Sequence, residues 1–269
     1  MLTCIGGTTP DKRDLISGSG NSGAGSFSTS GIMIDGGLAS TTGKTVQGNT
    51  VQGNLIGNDK SGTVNLGNGG AGVLIATSGG NTVGGVDDLN NPERSANTIA
   101  FNGLDGVAIL FDSSTGNRIL SNSIFSNRGL GIDLDGGTEV NNVTANDNKK
   151  KDSYTGPNNL QNYPFLASAT HAVSTGTNTI KGKLKSRPRR FFTIQFFRNT
   201  SVTDQDKTFI GEITVKTNRK GSRSFTFIPP CARRRANRNR HGHEPPYRRH
   251  LRVLRSQDRG SGDLGSSEG

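Results

Sequence analysis

The chain has 269 residues, of which 29% are hydrophobic and 39 are glycine, with no tryptophan. A composition so poor in large apolar side chains excludes a conventional globule with a sizeable core, and no apolar run is long enough to form a membrane-spanning helix. The net charge of +11 is uneven: residues 1–228 carry 22 Lys and Arg against 17 Asp and Glu, while residues 229–269 carry ten Arg, no Lys and four acids.

Residues 1–20 lack the basic start and apolar stretch of a secretory signal. Long Asn/Gly/Thr-rich repeats usually belong to exported proteins, and a start site placed inside a longer gene is one explanation. Cys4 and Cys231 lie near opposite ends and support neither a disulfide framework nor a zinc site.

Two modules return along the first half of the chain. One is Gly-aliphatic-x-aliphatic: G-I-M-I at 31–34, G-V-L-I at 72–75, G-V-A-I at 106–109 and G-I-D-L at 131–134. Its alternation over four residues is that of a short, half-buried strand. The other is Asn-x-aliphatic followed closely by Gly or Asn: N-T-V-Q-G-N-L-I-G at 49–57, N-T-V-G-G at 81–85, N-T-I-A-F-N at 97–102 and N-R-I-L-S-N-S-I at 117–124. Helical periodicity is missing, and the glycine density forbids a stable helix through most of this region.

Residues 97–109 and 122–134 carry both modules and align residue for residue at an offset of 25, Asn97 with Asn122, Ile99 with Ile124, Asn102 with Asn127 and Val107 with Ile132. Such an echo predicts successive coils of a solenoid, in a run of five or six, with strands stacked as parallel sheets. Ile32, Ile34, Val73, Ile75, Val107, Ile109, Ile132 and Leu134 then form inward aliphatic stacks. Asn and Gly belong at corners, because both tolerate the left-handed backbone of a tight turn. Asn can also hydrogen-bond its equivalent one coil away. Residues 58–70 and 86–96 lengthen two corners and are expected as exposed loops.

These modules resemble the repeats of right-handed parallel β-helix proteins, the group that includes pectate lyases and NosD-like periplasmic proteins. The run from N-T-V-Q-G-N-L-I-G to G-P-N-N-L-Q-N-Y-P at 156–164 is similar to large uncharacterised bacterial surface proteins. The resemblance covers roughly residues 1–170 and implies a fold and an extracellular or cell-surface location rather than a reaction. Enzymes of that group acting on acidic polysaccharides use carboxylates with Arg or Lys on an outward face. The histidines here are His171, His241, His243 and His250, so none falls in the solenoid. The adjacent Asp87 and Asp88 point opposite ways in an extended segment. The best remaining cluster is Asp133 and Asp135, with Arg128 just before them and Asp105 and Arg118 one coil earlier. With Ile132 and Leu134 inward, both aspartates face outward roughly 7 Å apart, a pair suited to sharing Ca²⁺ or contacting a sugar.

After residue 164 the texture changes. Residues 178–185, 191–197, 208–216 and 222–228 alternate apolar and polar, predicting antiparallel strands of a truncated immunoglobulin-like β-sandwich. Asn199-Thr200-Ser201 is a glycosylation triplet. The Arg-rich 229–269 follows where further strands are expected. Back-translated with permitted codons and shifted by one base, Ala236–Pro245 encodes Q-T-V-T-A-T-A-T-N and Arg248–Arg255 encodes G-D-T-S-E-F-S, which are strand-like. The tail is therefore expected to be disordered and out of frame; its rival role is salt-dependent binding of nucleic acid.

The sequence thus reads as all-β: a parallel β-helix over 1–150, a linker over 151–175, a partial sandwich over 176–228 and the tail. The function expected is non-enzymatic, structural or adhesive, with glycans as partners. The alternative is a lyase or hydrolase of acidic polysaccharide.

Overall fold

The computed structural model describes residues 4–20, 27–37, 46–85, 95–135, 143–146, 155–172, 177–199 and 204–230. Among them the chain passes four times through three sheets, always in the same order. The first pass contributes β1 (Cys4–Gly6), β2 (Leu15–Ile16) and β3 (Ile32–Asp35), and the second β4 (Thr50–Gln52), β5 (Leu55–Ile56) and β6 (Val73–Ala76). The third contributes β7 (Thr82–Gly84), β8 (Thr98–Ala100) and β9 (Val107–Leu110), and the fourth β10 (Arg118–Leu120), β11 (Ser123–Phe125) and β12 (Ile132–Asp135). Four passes stand where five or six coils were expected.

All pairings between passes are parallel and in the register of the sequence echo. Thr98, Ile99 and Ala100 face Ser123, Ile124 and Phe125, and Val107 and Ile109 face Ile132 and Leu134. Residues from all three sheets meet in one aliphatic cluster: Val51, Val83 and Ile119 from the first, Ile56, Ile99 and Ile124 from the second, and the Ile/Val positions of the Gly-aliphatic-x-aliphatic module from the third. Leu134 is only partly buried against this cluster. The core is thin but continuous, since each aliphatic meets its equivalents above and below.

The corners obey the chemistry expected of them. Gly57 has φ 82° and Gly84 φ 79°, and a Cβ on either would lie within 2.1 Å of a carbonyl oxygen of the next pass. Only glycine fits both demands. Asparagine forms three ladders of buried side chains. Asn49 Nδ2 donates to Asn81 and Asn81 Nδ2 to Asn117. Asn54 donates to Asn97 and Asn97 to Asn122. Asn68 donates to Asn102 and Asn102 to Asn127. The motif at 156–164 extends the first ladder, for Asn117 N donates to Asn158 Oδ1 at 2.9 Å.

Beyond residue 164 the sheets are antiparallel. A three-stranded sheet has the order β13 (Phe165–Ala172), β14 (Thr177–Lys185), β18 (Ser222–Phe227), and β15 (Phe191–Arg198) pairs with β17 (Thr208–Lys216). Leu184, Phe192, Ile194, Phe196, Val215, Phe225 and Phe227 form a core between these two sheets, with Phe196 and Phe227 stacked at 3.9 Å. Four of these strands match the expected segments. β13 corrects the expected linker, since 165–172 is an edge strand. Its sequence F-L-A-S-A-T-H-A offers one side chain, Leu166, to the core, so apolar alternation gave no signal.

The two halves are joined by a further strand. β16 (Asp204–Asp206) pairs antiparallel with β11, on the edge of the second parallel sheet opposite β8. An exposed row of backbone donors and acceptors is a template for aggregation, and β16 covers it. Gln205 Nε2 donates to Gly129 O at 2.5 Å, Ser123 Oγ donates to Lys207 O at 2.7 Å, and Ser121 N donates to Gln195 Oε1 at 2.9 Å. The Lys207 ammonium lies over the Phe125 ring, 4.7 Å from its centroid.

Candidate functional site

The five singled-out residues are distributed over different parts of the parallel region rather than gathered on one face. Arg118 opens β10 in the first sheet, beside Thr82, whereas Asp133 and Asp135 lie on β12 in the third. Arg128 is exposed in the turn between β11 and β12, and its N donates to Asn102 O.

Asp105 is 1% exposed, and its Oδ1 accepts from Leu130 N in the following pass at 2.5 Å. A Cβ on Gly129 would stand 2.3 Å from that oxygen. Asp105 therefore ties one turn to the next, which corrects its reading as part of an outward binding cluster.

Asp133 also requires correction. Ile132 points inward and Asp133 outward, as the alternation demands, yet Asp133 is 5% exposed. The reason lies in its row. β12, β9, β6 and β3 align Asp133 with Ala108, Leu74 and Met33. Leu74 and Ala108 are buried in a second small cluster with Ala71, against Phe27, Leu104 and Leu110. The outer face of the third sheet is thus covered over Leu74 and Ala108, while Met33 at the far end of the row is 49% exposed, so pointing outward does not by itself mean reaching water. Asp135 continues the strand opposite Leu110. Among the described residues no group of three or more His, Cys, Asp or Glu gathers to hold a metal ion.

The expected loop at 58–70 does reach solvent from Lys60 to Leu66, while Asn58 and Asn68 at its two ends are buried. Its shape comes from Asp59. Oδ1 accepts from Ser61 Oγ at 2.7 Å, Val64 N at 3.0 Å and Thr63 N at 3.1 Å. The Ser61 hydroxyl first, then these amides, hold the carboxyl down to about 2, because hydrogen bonds to the ionised form favour it. Val64 and Leu66 are exposed on this loop. Most of the second expected loop, with Asp87 and Asp88, lies outside the described residues, as do Cys231 and the tail from 231 onward.

The glycosylation triplet is spent structurally at its first residue. Asn199 is buried, donates from Nδ2 to Gln205 O and accepts Lys207 N on Oδ1, so it shapes the β16 connection. His171 is exposed, with Nδ1 2.9 Å from Asn178 Oδ1.

One exposed group was not singled out from the sequence. Lys181, Lys183 and Lys185 stand on alternate positions of β14, separated by buried Gly182 and Leu184. The signal was present in N-T-I-K-G-K-L-K, whose period of two puts all three lysines on one face.

No described helix is long and apolar enough to cross a membrane. Comparison with known proteins finds no matching family model and no matching curated protein.

Proposed function

We propose that the parallel region is a right-handed β-helix of the kind seen in NosD-like and pectate-lyase-like repeats, and that the chain is a non-enzymatic structural or adhesive protein of the cell surface or extracellular space. The observation that supports this reading is how the repeated residues are used. The asparagines form buried ladders, the aliphatics one continuous core, and Asp105 is engaged between passes. What repeats maintains a rod; what varies is exposed, as in the Lys60–Leu66 loop. A rod that presents variable surface is suited to holding a partner such as a glycan.

The antiparallel unit supports the same reading, since β16 and Gln195 anchor it on the end of the second sheet. The test is incubation of the full chain with pectin, alginate, glycosaminoglycan and the neutral polymer dextran. Retention on at least one polymer without release of new chain ends is expected. Cleavage of any of them overturns the non-enzymatic reading, and failure to bind any glycan, neutral or acidic, overturns the adhesive one.

A further inference from the structure

Residues 181–190 and 214–226 contain ten Lys and Arg and no Asp or Glu. The fold brings these two stretches together. β14 pairs with β18 so that Lys181, Lys183 and Lys185 face Thr226, Ser224 and Ser222. On the other side of β14, Phe165 pairs with Lys183 and is 69% exposed.

Where β14 ends, two turns lock against each other. Ser186 N donates to Gly221 O at 2.8 Å, Arg189 N to Asn218 O at 3.2 Å, and Thr217 N to Arg190 O at 3.0 Å. Thr217 and Ser186 are buried. Arg189, Arg219 and Lys220 are thereby fixed in the turns at the end of the lysine row, all exposed, whereas Arg223 pairs with Leu184 and belongs to the opposite face. Like charges held this close repel one another, and the interlocked turns stop the backbone from separating them.

We propose that this face binds an acidic polysaccharide. The inference rests on the adhesive reading above and names its ligand class and its surface. The lysines advance about 7 Å per two-residue step along a straight strand, which matches an extended polyanion better than a coiled one. Each lysine has a hydroxyl as its cross-strand neighbour, exposed in Ser224 and Thr226 and half-buried in Ser222. Phe165 adds a single apolar ring. Carboxylate or sulfate groups, sugar hydroxyls and the apolar face of a pyranose answer these three features in turn.

A nucleic acid fits less well. A duplex is read by an element entering its groove, and a flat strand face provides none. A single strand is held on successive aromatic platforms, and the lysine row has only Phe165.

The experiment measures binding of the full chain to immobilised alginate and to heparin over a salt series, with dextran as the neutral polymer. Salt-sensitive binding to an acidic polymer and none to dextran are expected. The triple variant K181T/K183T/K185T keeps strand-forming residues and should lose affinity by at least about tenfold, from three exposed ion pairs, with an unchanged circular dichroism spectrum. If that variant fails to fold, R219S/K220S in the turn takes its place, with a loss of about threefold expected.

Unchanged affinity in the folded variants puts binding elsewhere, the Arg-rich 229–269 included, and overturns the inference. Equal or tighter binding of an oligonucleotide by the same lysines also overturns it. Binding to dextran that the triple variant retains overturns this inference while leaving the adhesive reading intact; no binding to any glycan removes both.

Discussion

Asn122 Oδ1 accepts two hydrogen bonds from Asn97, one from its Nδ2 at 2.8 Å and one from its backbone N at 3.0 Å. The same arrangement recurs one pass earlier, where Asn97 Oδ1 accepts from Asn54 N at 2.9 Å and Asn54 Nδ2 at 3.1 Å. Asn97 Nδ2 donates besides to Val51 O at 2.9 Å. Each asparagine thus serves its own corner and the corner below, and none of these atoms meets water.

Replacing Asn97 by alanine leaves the buried Asn54 amide without its acceptor and Val51 O without its donor. Each orphaned group costs about 1–3 kcal/mol, so Asn97→Ala should lower stability by about 3 kcal/mol in urea denaturation. Asn97→Asp should do no better, because a carboxylate cannot donate to Val51 O or Asn122 Oδ1. A loss below about 0.5 kcal/mol, the level of a neutral surface change, would sink the claim that the ladder carries the stack.

Gln195 tests the junction between the halves. It is buried, accepts Ser121 N on Oε1 at 2.9 Å and donates from Nε2 to Ser121 Oγ at 3.1 Å and to Glu212 at 2.8 Å. Gln195→Leu keeps the bulk but strips the buried Ser121 amide of its partner, at a cost of about 1–3 kcal/mol. Amide hydrogen exchange should speed up along Ser121–Phe125 more than along β8, which lies one strand further from the junction. Uniform protection would show that the antiparallel unit does not brace this edge.

Much of the architecture was legible in the sequence because stacking imposes a strict repeat. Val107 over Ile132 and Asn97 over Asn122 need only an offset of 25 to be recognised. β13 was not legible, since an edge strand that gives Leu166 alone to the core has no alternation to read. β16 was hidden for a different reason: D-Q-D carries no strand signal, and its pairing with β11 is set by tertiary contacts such as Gln205 with Gly129. The exposure expected of Asp133 was missed at one identifiable step. Alternation says which side of a sheet Asp133 occupies but not whether that side is covered, as it is over its row partners Leu74 and Ala108 by residues distant in sequence such as Phe27. Lys181, Lys183 and Lys185 were readable as a row, whereas their convergence with Arg219 and Lys220 depends on two turns meeting.

Phe111 occupies a left-handed backbone conformation, with φ 68°, just past the end of β9, and its ring is 56% exposed. A side chain there costs about 1–2 kcal/mol against the following carbonyl oxygen, while glycine's extra freedom in the unfolded chain costs about 0.5–1 kcal/mol. Phe111→Gly and Phe111→Ala lose the same ring contacts, so the glycine variant should be the more stable of the two by about 0.5–1 kcal/mol. Phe111→Ala keeps a Cβ in the same conformation and should give no gain. Equal melting temperatures for the two variants would show that backbone strain is not stored there.

The Asp59 loop gives a pH signature. Its folded carboxyl is held down to about 2 from an ordinary 3.8 by Ser61 and the Val64 and Thr63 amides. A depressed folded value means the stabilisation is complete above the unfolded pKa and is lost as protons bind. Order in Lys60–Leu66 should therefore be constant above about pH 4 and fall away between about pH 4 and pH 2, seen as changing amide shifts of Thr63 and Val64. Asp59 belongs to a surface loop outside the ladders, so the effect should remain local, with the Asn ladders beneath still protected. In Asp59→Ala the loop should already be loose at neutral pH and show no transition in that window. A Val64 amide that titrates identically in both proteins would mean that some other group shapes the loop.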